Sequence, residues 1–133
     1  MRALVLDCTL DSRSEPTICS DLRSWGVRVD WVPATEVPAS VTDYAVVVIV
    51  TPGWLGHPSR LAQWVLNRLP GGSPTTVAGV ASLNELADGR WTRTTLSSHL
   101  WNRGYTVPVR PTATHFVRTA IQARRNRTLT TAS

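Results

Sequence analysis

Lysine is missing from this chain, so all 14 of its basic side chains are arginine. Arginine is in excess together with alanine, valine, threonine and proline, the coding bias of a GC-rich genome. The net charge of +5 is partly a terminal effect, because Arg118, Arg124, Arg125 and Arg127 crowd the end of the chain. No basic stripe interleaved with aromatics and no recognisable binding motif appears, which argues against a nucleic-acid partner. Cysteine is scarce: Cys8 and Cys19 are too few for a disulfide framework and are expected to be buried thiols. Long apolar runs are also lacking. The longest, Ala45 to Val50, is far too short to cross a membrane. Met1 leads directly into strand-like sequence with no leader, so a cytoplasmic location is expected. No Ser/His/Asp arrangement and no metal-ligand spacing stands out, which sets aside hydrolase and metalloenzyme readings; no metal is expected.

What is present is enough for a core: 133 residues, 42% of them hydrophobic. Without internal repeats or a linker, residues 1–126 are expected to form one domain, with 127–133 a disordered polar tail. Strand-like and helical stretches alternate. Ala3 to Cys8, Val27 to Val32, Tyr44 to Val50, Thr76 to Ala81 and Tyr105 to Val109 read as five strands. The third is almost continuously β-branched, the signature of a parallel strand covered on both faces. The helical stretches are Pro16 to Trp25, Pro58 to Leu69, Thr92 to Asn102 and about Phe116 to Arg125. Pro16 suits a first turn, and Gly26 and Gly104 suit helix stops. Leu61, Val65, Leu66 and Leu69 form an inner stripe. This alternation predicts an α/β three-layer sandwich on a parallel sheet with right-handed crossovers.

One connection is unusual. Only about a dozen residues, PATEVPASVTDY, join the second and third strands, near the minimum for a parallel crossover. With Pro33 and Pro38 they cannot form a full covering helix. One sheet face is therefore expected to be thinly covered, and self-association as a homodimer or other oligomer is the economical way to bury it.

The segment TPGWLGHPSRLAQWVLNRL, residues 51 to 69, resembles the third-strand turn and helix of the flavodoxin-like NAD(P)H-dependent FMN reductases and quinone oxidoreductases. Members of that family carry a T-P-x-W/Y-x-G-x-P-S segment leading into a helix. MRALVLDCT at the start resembles the family's first strand, and Val77 to Val107 its fourth strand, following loop, helix and fifth strand. The resemblance spans most of the chain, with deletions after strands one, two and five. It implies a flavodoxin-like order 2-1-3-4-5 with shortened crossovers, and a ligand at the switch point where the loops after strands one, three and four meet. It also implies FMN as cofactor, NAD(P)H as co-substrate, and reduction of a small acceptor such as a quinone or a flavin.

Carried onto this sequence, the implied cofactor-binding residues fall in three loops. Thr9, Ser12, Arg13, Ser14 and Thr17 would face the phosphate. Thr51, Pro52, Gly53, Trp54, Leu55 and Gly56 would face the ring, the glycines allowing close backbone approach and Trp54 walling the ligand. Asn84, Asp88 and Gly89 would meet the heterocycle edge. His57, Glu85 and Asp88 are the acid/base candidates. Each has a plainer reading: Trp54 is one of six tryptophans and packs as readily as it stacks, Asp88-Gly89 makes a turn, and His57 precedes a proline at the surface. The first loop, TLDSRSEPT, also departs from the family. Pro16 stands where an asparagine is common, removing an amide donor, and Asp11 and Glu15 add negative charge. At roughly 5 Å and an effective dielectric near 20, one such repulsion against a phosphate charge is about 3 kcal/mol before screening. A second reading follows: a flavin-free relative whose cleft is reused, as a biosynthetic cyclase or isomerase or as a non-catalytic subunit.

Light scattering tests the expectation of self-association. A dimer or larger species at micromolar concentration is the predicted result, and a monomer contradicts it.

Overall fold

A computed structural model describes residues 1–8, 15–51, 60–73, 75–82, 96–110 and 112–132. Four parallel strands form one sheet: β1 (Arg2–Asp7), β2 (Arg28–Pro33), β3 (Val46–Thr51) and β4 (Val77–Ser82), in the order β2-β1-β3-β4. Val5 of β1 lies level with Trp31 of β2 and Val48 of β3, so the register runs straight across the centre. Four helices are described: α1 (Thr17–Ser24), α2 (Arg60–Arg68), α3 (96–102) and α4 (Ala113–Ala132).

The strand sequences dictate this layering. Every residue of β3, VVVIVT, is buried, and β1 is buried from Ala3 onward. A strand apolar on both sides must be covered on both sides. Leu4, Leu6, Val47 and Ile49 pack with Ala62, Val65 and Leu66 of α2 and with Leu96 and Leu100 of α3. The alternate residues Val5, Val46 and Val48 pack with Ile18 and Leu22 of α1 and with Phe116 and Ala120 of α4. Because β1 leads to β2 on one side and β3 to β4 on the other, α1 and α2 leave from opposite faces. The carboxyl ends of β1 and β3 are thus the switch point.

The helix stops fall where the sequence places them. Gly26 (φ 78°) and Gly104 (φ 95°) adopt the left-handed conformation that ends α1 and α3. After each, the next amide reaches back to a helix carbonyl, Val27 to Leu22 at 3.2 Å and Tyr105 to Leu100 at 3.2 Å. The edge strand β2 is tied in near the sheet's amino end. There Arg2 Nη2 and the Tyr44 hydroxyl both donate to Asp30 Oδ2, at 2.6 and 2.8 Å. The Tyr44 hydrogen bond and then Arg2 hold the Asp30 carboxyl below its ordinary range.

Several expectations are corrected. The fifth strand reduces to a single parallel bridge, Thr106 to Val77, held by Ala78 N–H to the Thr106 carbonyl at 2.9 Å and Thr106 N–H to the Thr76 carbonyl at 3.1 Å. Pro108 lacks the donor that would extend the ladder. The last helix begins at Ala113, and Thr112 caps it: its hydroxyl accepts the His115 amide at 3.2 Å. It runs on to Ala132, through the stretch expected to be a disordered tail, which contains no glycine or proline to stop it. The short β2–β3 connection does not leave its face bare. It makes a single 3-10 turn, Ala34–Glu36, and buries Ala34 and Val41 against the α2 side of the core. The starts expected for the second and third helices, Pro58 and Thr92, lie outside the described residues.

Packing between β4 and α4 offers a direct check. A Cβ on Gly79 would sit 2.6 Å from the Phe116 ring, so Gly79→Ala forces a shift of a buried aromatic. A loss of about 1–3 kcal/mol in urea unfolding is expected, partly recovered when Phe116→Leu is added. Unchanged stability would contradict this packing.

Candidate functional site

The carboxyl ends of β1 and β3 are pinned together by the Cys8 amide, which donates to the Val50 carbonyl at 2.8 Å. In the chain, β1, β3 and β4 are each followed by one of the three loops named from the sequence. Thr9, Ser12, Arg13 and Ser14, then Pro52, Gly53, Trp54, Leu55, Gly56 and His57, then Asn84, Glu85, Asp88 and Gly89 lie outside the described residues. Thr17 and Thr51 are described. Thr17 is the exposed first residue of α1, and Thr51 the buried last residue of β3, level with Ser82 of β4.

Thr51 is the unusual one. It is 0% exposed, and its Oγ1 is a buried polar atom with no hydrogen-bond partner among the described residues. A hydroxyl left this way costs about 1–3 kcal/mol. Such groups call for a specific explanation. Here the orphan stands at the switch point, where a sheet of this topology receives its ligand.

Asp7 is the residue that sequence reasoning passed over. It ends β1 at 3% exposure, and the Trp31 indole N–H donates to its Oδ2 at 2.9 Å. The signal was legible: an acidic residue closing the apolar run ALVLDC must either leave the core or be paired within it.

The start of α1 has an equally definite arrangement. Pro16 occupies the N-cap position with no side-chain cap hydrogen bond, and being proline it has no N–H to offer. The Cys19 amide donates to the Pro16 carbonyl at 3.0 Å. Arg23 folds back from the last turn and engages both carboxylate oxygens of Glu15, one contact being 3.1 Å from Nη2 to Oε2. Burial, with Asp7 nearby, pushes the Cys8 thiol up to about 12. Burial first, then Glu15, pushes Cys19 up to about 11. Both sulfurs are protonated near neutrality and are poor nucleophiles. Among the described residues no group of three His, Cys, Asp or Glu side chains is gathered for a metal ion, and no helix is long and apolar enough to cross a membrane.

Taken together, the described part of the site offers a neutral hydroxyl at the end of β3 and a helix start already facing carboxylates.

No family model matches the chain, and no curated protein matches it. Among solved structures, the chain is similar to the crystal structure of RosB with a bound intermediate, OHC-RP (8-demethyl-8-formylriboflavin-5'-phosphate). The TM-score is 0.58 at 17% identity, over 82% of this chain and 62% of that chain. The likeness is one of fold, and the α/β parallel sheet with order 2-1-3-4 fits a flavodoxin-like fold.

The raised thiols give a pH signature. Their unfolded-state pKa lies near 8.5, below the folded values of about 12 and about 11. The stability this contributes is complete below about pH 8.5 and is lost as pH rises through the folded values. Native protein should therefore resist alkylation by iodoacetamide at pH 8, both cysteines reacting only after unfolding, and alkaline urea midpoints should fall above about pH 9. Rapid alkylation of the native protein at pH 8 would contradict the burial.

Proposed function

We propose that the crevice at the carboxyl ends of β1 and β3 is a flavin site, and that the protein is a small flavodoxin-like oxidoreductase. The observation that carries this reading is the fully buried Thr51 hydroxyl at the switch point, which has no hydrogen-bond partner among the described residues. The RosB likeness supports it, since the structure matched holds a flavin 5'-phosphate derivative. Hydride would come from NAD(P)H, and the electrons would pass to a quinone, a free flavin or another small acceptor. FMN is the flavin implied by the sequence resemblance. A bound flavin ring would supply the hydride and electron chemistry.

The chain's own contribution is binding and exclusion of water. Thr51 Oγ1 would pair with a polar atom of the ring edge. The backbone of residues 51–57 would approach the ring, Trp54 would stack on it, and Asn84, Asp88 and Gly89 would meet its edge. His57, Glu85 and Asp88 would be the candidates to move a proton to the acceptor.

A second reading, a flavin-free cleft serving a cyclase, an isomerase or a non-catalytic subunit, is favoured by the α1 start, where Pro16 and the Glu15–Arg23 pair stand in place of an open anion cradle.

Flavin titration followed by flavin and tryptophan fluorescence separates the two. Saturable quenching at micromolar concentration supports the flavin site; unchanged fluorescence at high micromolar concentration supports the second reading. Thr51→Val should weaken flavin binding about tenfold, the equivalent of one lost hydrogen bond. The same variant should gain about 1 kcal/mol of stability, because it removes an unsatisfied buried hydroxyl. Trp54→Ala should also weaken binding about tenfold. Trp25→Ala, at the half-exposed end of α1, should leave it within about twofold, inside the usual range for surface changes. Equal effects of the two tryptophan substitutions would reduce Trp54 to a packing residue.

A further inference from the structure

We infer that the exposed face of α4 is a docking surface for duplex DNA, gripping its phosphate backbone without reading its sequence. None of the crevice residues takes part.

Charge is divided unevenly along the chain. All nine acidic side chains lie at or before Asp88, together with six of the 14 arginines. The rest of the chain carries the other eight arginines and no acid. Folding turns part of that bias into a surface. α4 buries Ala113, Phe116, Val117 and Ala120 against the sheet, and Ala120 is the last of its described side chains to be buried. Beyond it Gln122, Arg124, Arg125 and Asn126 are exposed, and so is Arg118 before it. Arg118 and Arg125 stand two turns apart on one side of the helix, about 10 Å along its axis. Gln122 lies between them, its Nε2 donating to Asn126 Oδ1 at 3.2 Å.

Several arginines elsewhere already have a task. Arg2 pairs with Asp30 and Arg23 with Glu15. Arg68 lies over the Trp64 ring at 4.4 Å, and Arg103 donates to the Leu69 carbonyl. Among the described residues, neither Arg118 nor Arg125 has an acidic partner. The helix dipole does not account for them either. Its attraction for cations is confined to the last turn, where α4 has no basic residue.

A row of exposed cations with no acid among them is the electrostatic footprint of a polyanion. Among the described exposed positions of α4, Ile121 is the one apolar side chain, too little for a helix that lies in a membrane surface. Those positions hold no aromatic, whereas protein interfaces use aromatic anchors and single strands are held by stacking. Protein–DNA interfaces are more polar and far more positive. The major groove of DNA, about 12 Å wide, admits an α-helix, while that of A-form RNA is too deep and narrow. The sequence argued against a nucleic-acid partner because this row exists only once the helix has formed.

The test is fluorescence anisotropy of a labelled duplex of mixed sequence, titrated with the full chain at 50 and 200 mM salt. Binding at about 1–100 μM is expected at the lower salt, weakening about ten- to fortyfold at the higher, the release expected of two or three phosphate contacts. A duplex of unrelated sequence should bind within about twofold. Arg118→Gln with Arg125→Gln should weaken binding at least about tenfold at 50 mM salt and lower the salt slope by about two. Arg28→Gln with Arg68→Gln removes the same charge from other exposed positions and should leave binding within about twofold. Circular dichroism checks that both pairs fold. No binding at 50 mM salt, or equal losses from the two pairs, overturns the inference. Tighter binding of the single strand, of polyglutamate, or of vesicles of phosphatidylserine and phosphatidylcholine in equal parts also overturns it.

Discussion

The rest of this structure depends on one constraint: the central strand β3 is buried at every position, from Val46 to Thr51. Six consecutive buried residues leave no room for a polar side chain until the strand ends. Each fully buried valine or isoleucine contributes on the order of 1.5–3 kcal/mol, provided that both faces are covered. Helices on opposite sides supply the cover, which forces the chain to depart from β1 and β3 in opposite directions and opens a crevice where it does so. Polarity is displaced to the ends of the strands, and two of the buried polar side chains, Asp7 and Thr51, end β1 and β3.

The two ends of the sheet are settled differently. Near the amino end, Asp30 accepts from both Arg2 and Tyr44, and the arginine lies over the tyrosine ring at 5.0 Å. This cluster pairs its charges internally. At the far edge, the Tyr105 hydroxyl donates to the Pro70 carbonyl at 2.5 Å while its ring lies against Gly72. The truncated fifth strand is thereby anchored by a side chain where its ladder stops. At the carboxyl end the accounts do not close in the same way. Thr51 has no hydrogen-bond partner among the described residues, and Glu15 stands at the start of α1, paired with Arg23.

Much of the fold was legible because burial on both faces leaves a continuous β-branched run, as in residues 46–50, and because Gly26 and Gly104 mark helix ends. The errors share a physical cause: tertiary contacts outweighed local signals. Tyr105 to Val109 has strand-like residues, yet Pro108 withholds the ladder donor. The two prolines between β2 and β3 prevented a full helix, as read, but Ala34 and Val41 still cover the sheet through a single turn. At α4 the capping role of Thr112 was overlooked, and the polar end that reads as a tail carries on the helix. At the switch point, Thr51 was named through its motif, whereas its lack of a partner among the described residues is a property of packing that no spacing reveals. Asp7 was visible as an acid in an apolar strand, but its indole partner comes from β2, 24 residues away.

The central proposal is that a flavin binds at the carboxyl end of β1 and β3, away from the Arg2–Asp30–Tyr44 cluster. The most direct measurement is an amide chemical-shift titration of the labelled protein with FMN. The account predicts progressive shifts at Cys8, Thr51 and Ser82, with the amides of Arg2, Asp30 and Tyr44 unmoved. Shifts centred on the amino end of the sheet or the outer faces of the helices, or none at all, would contradict it.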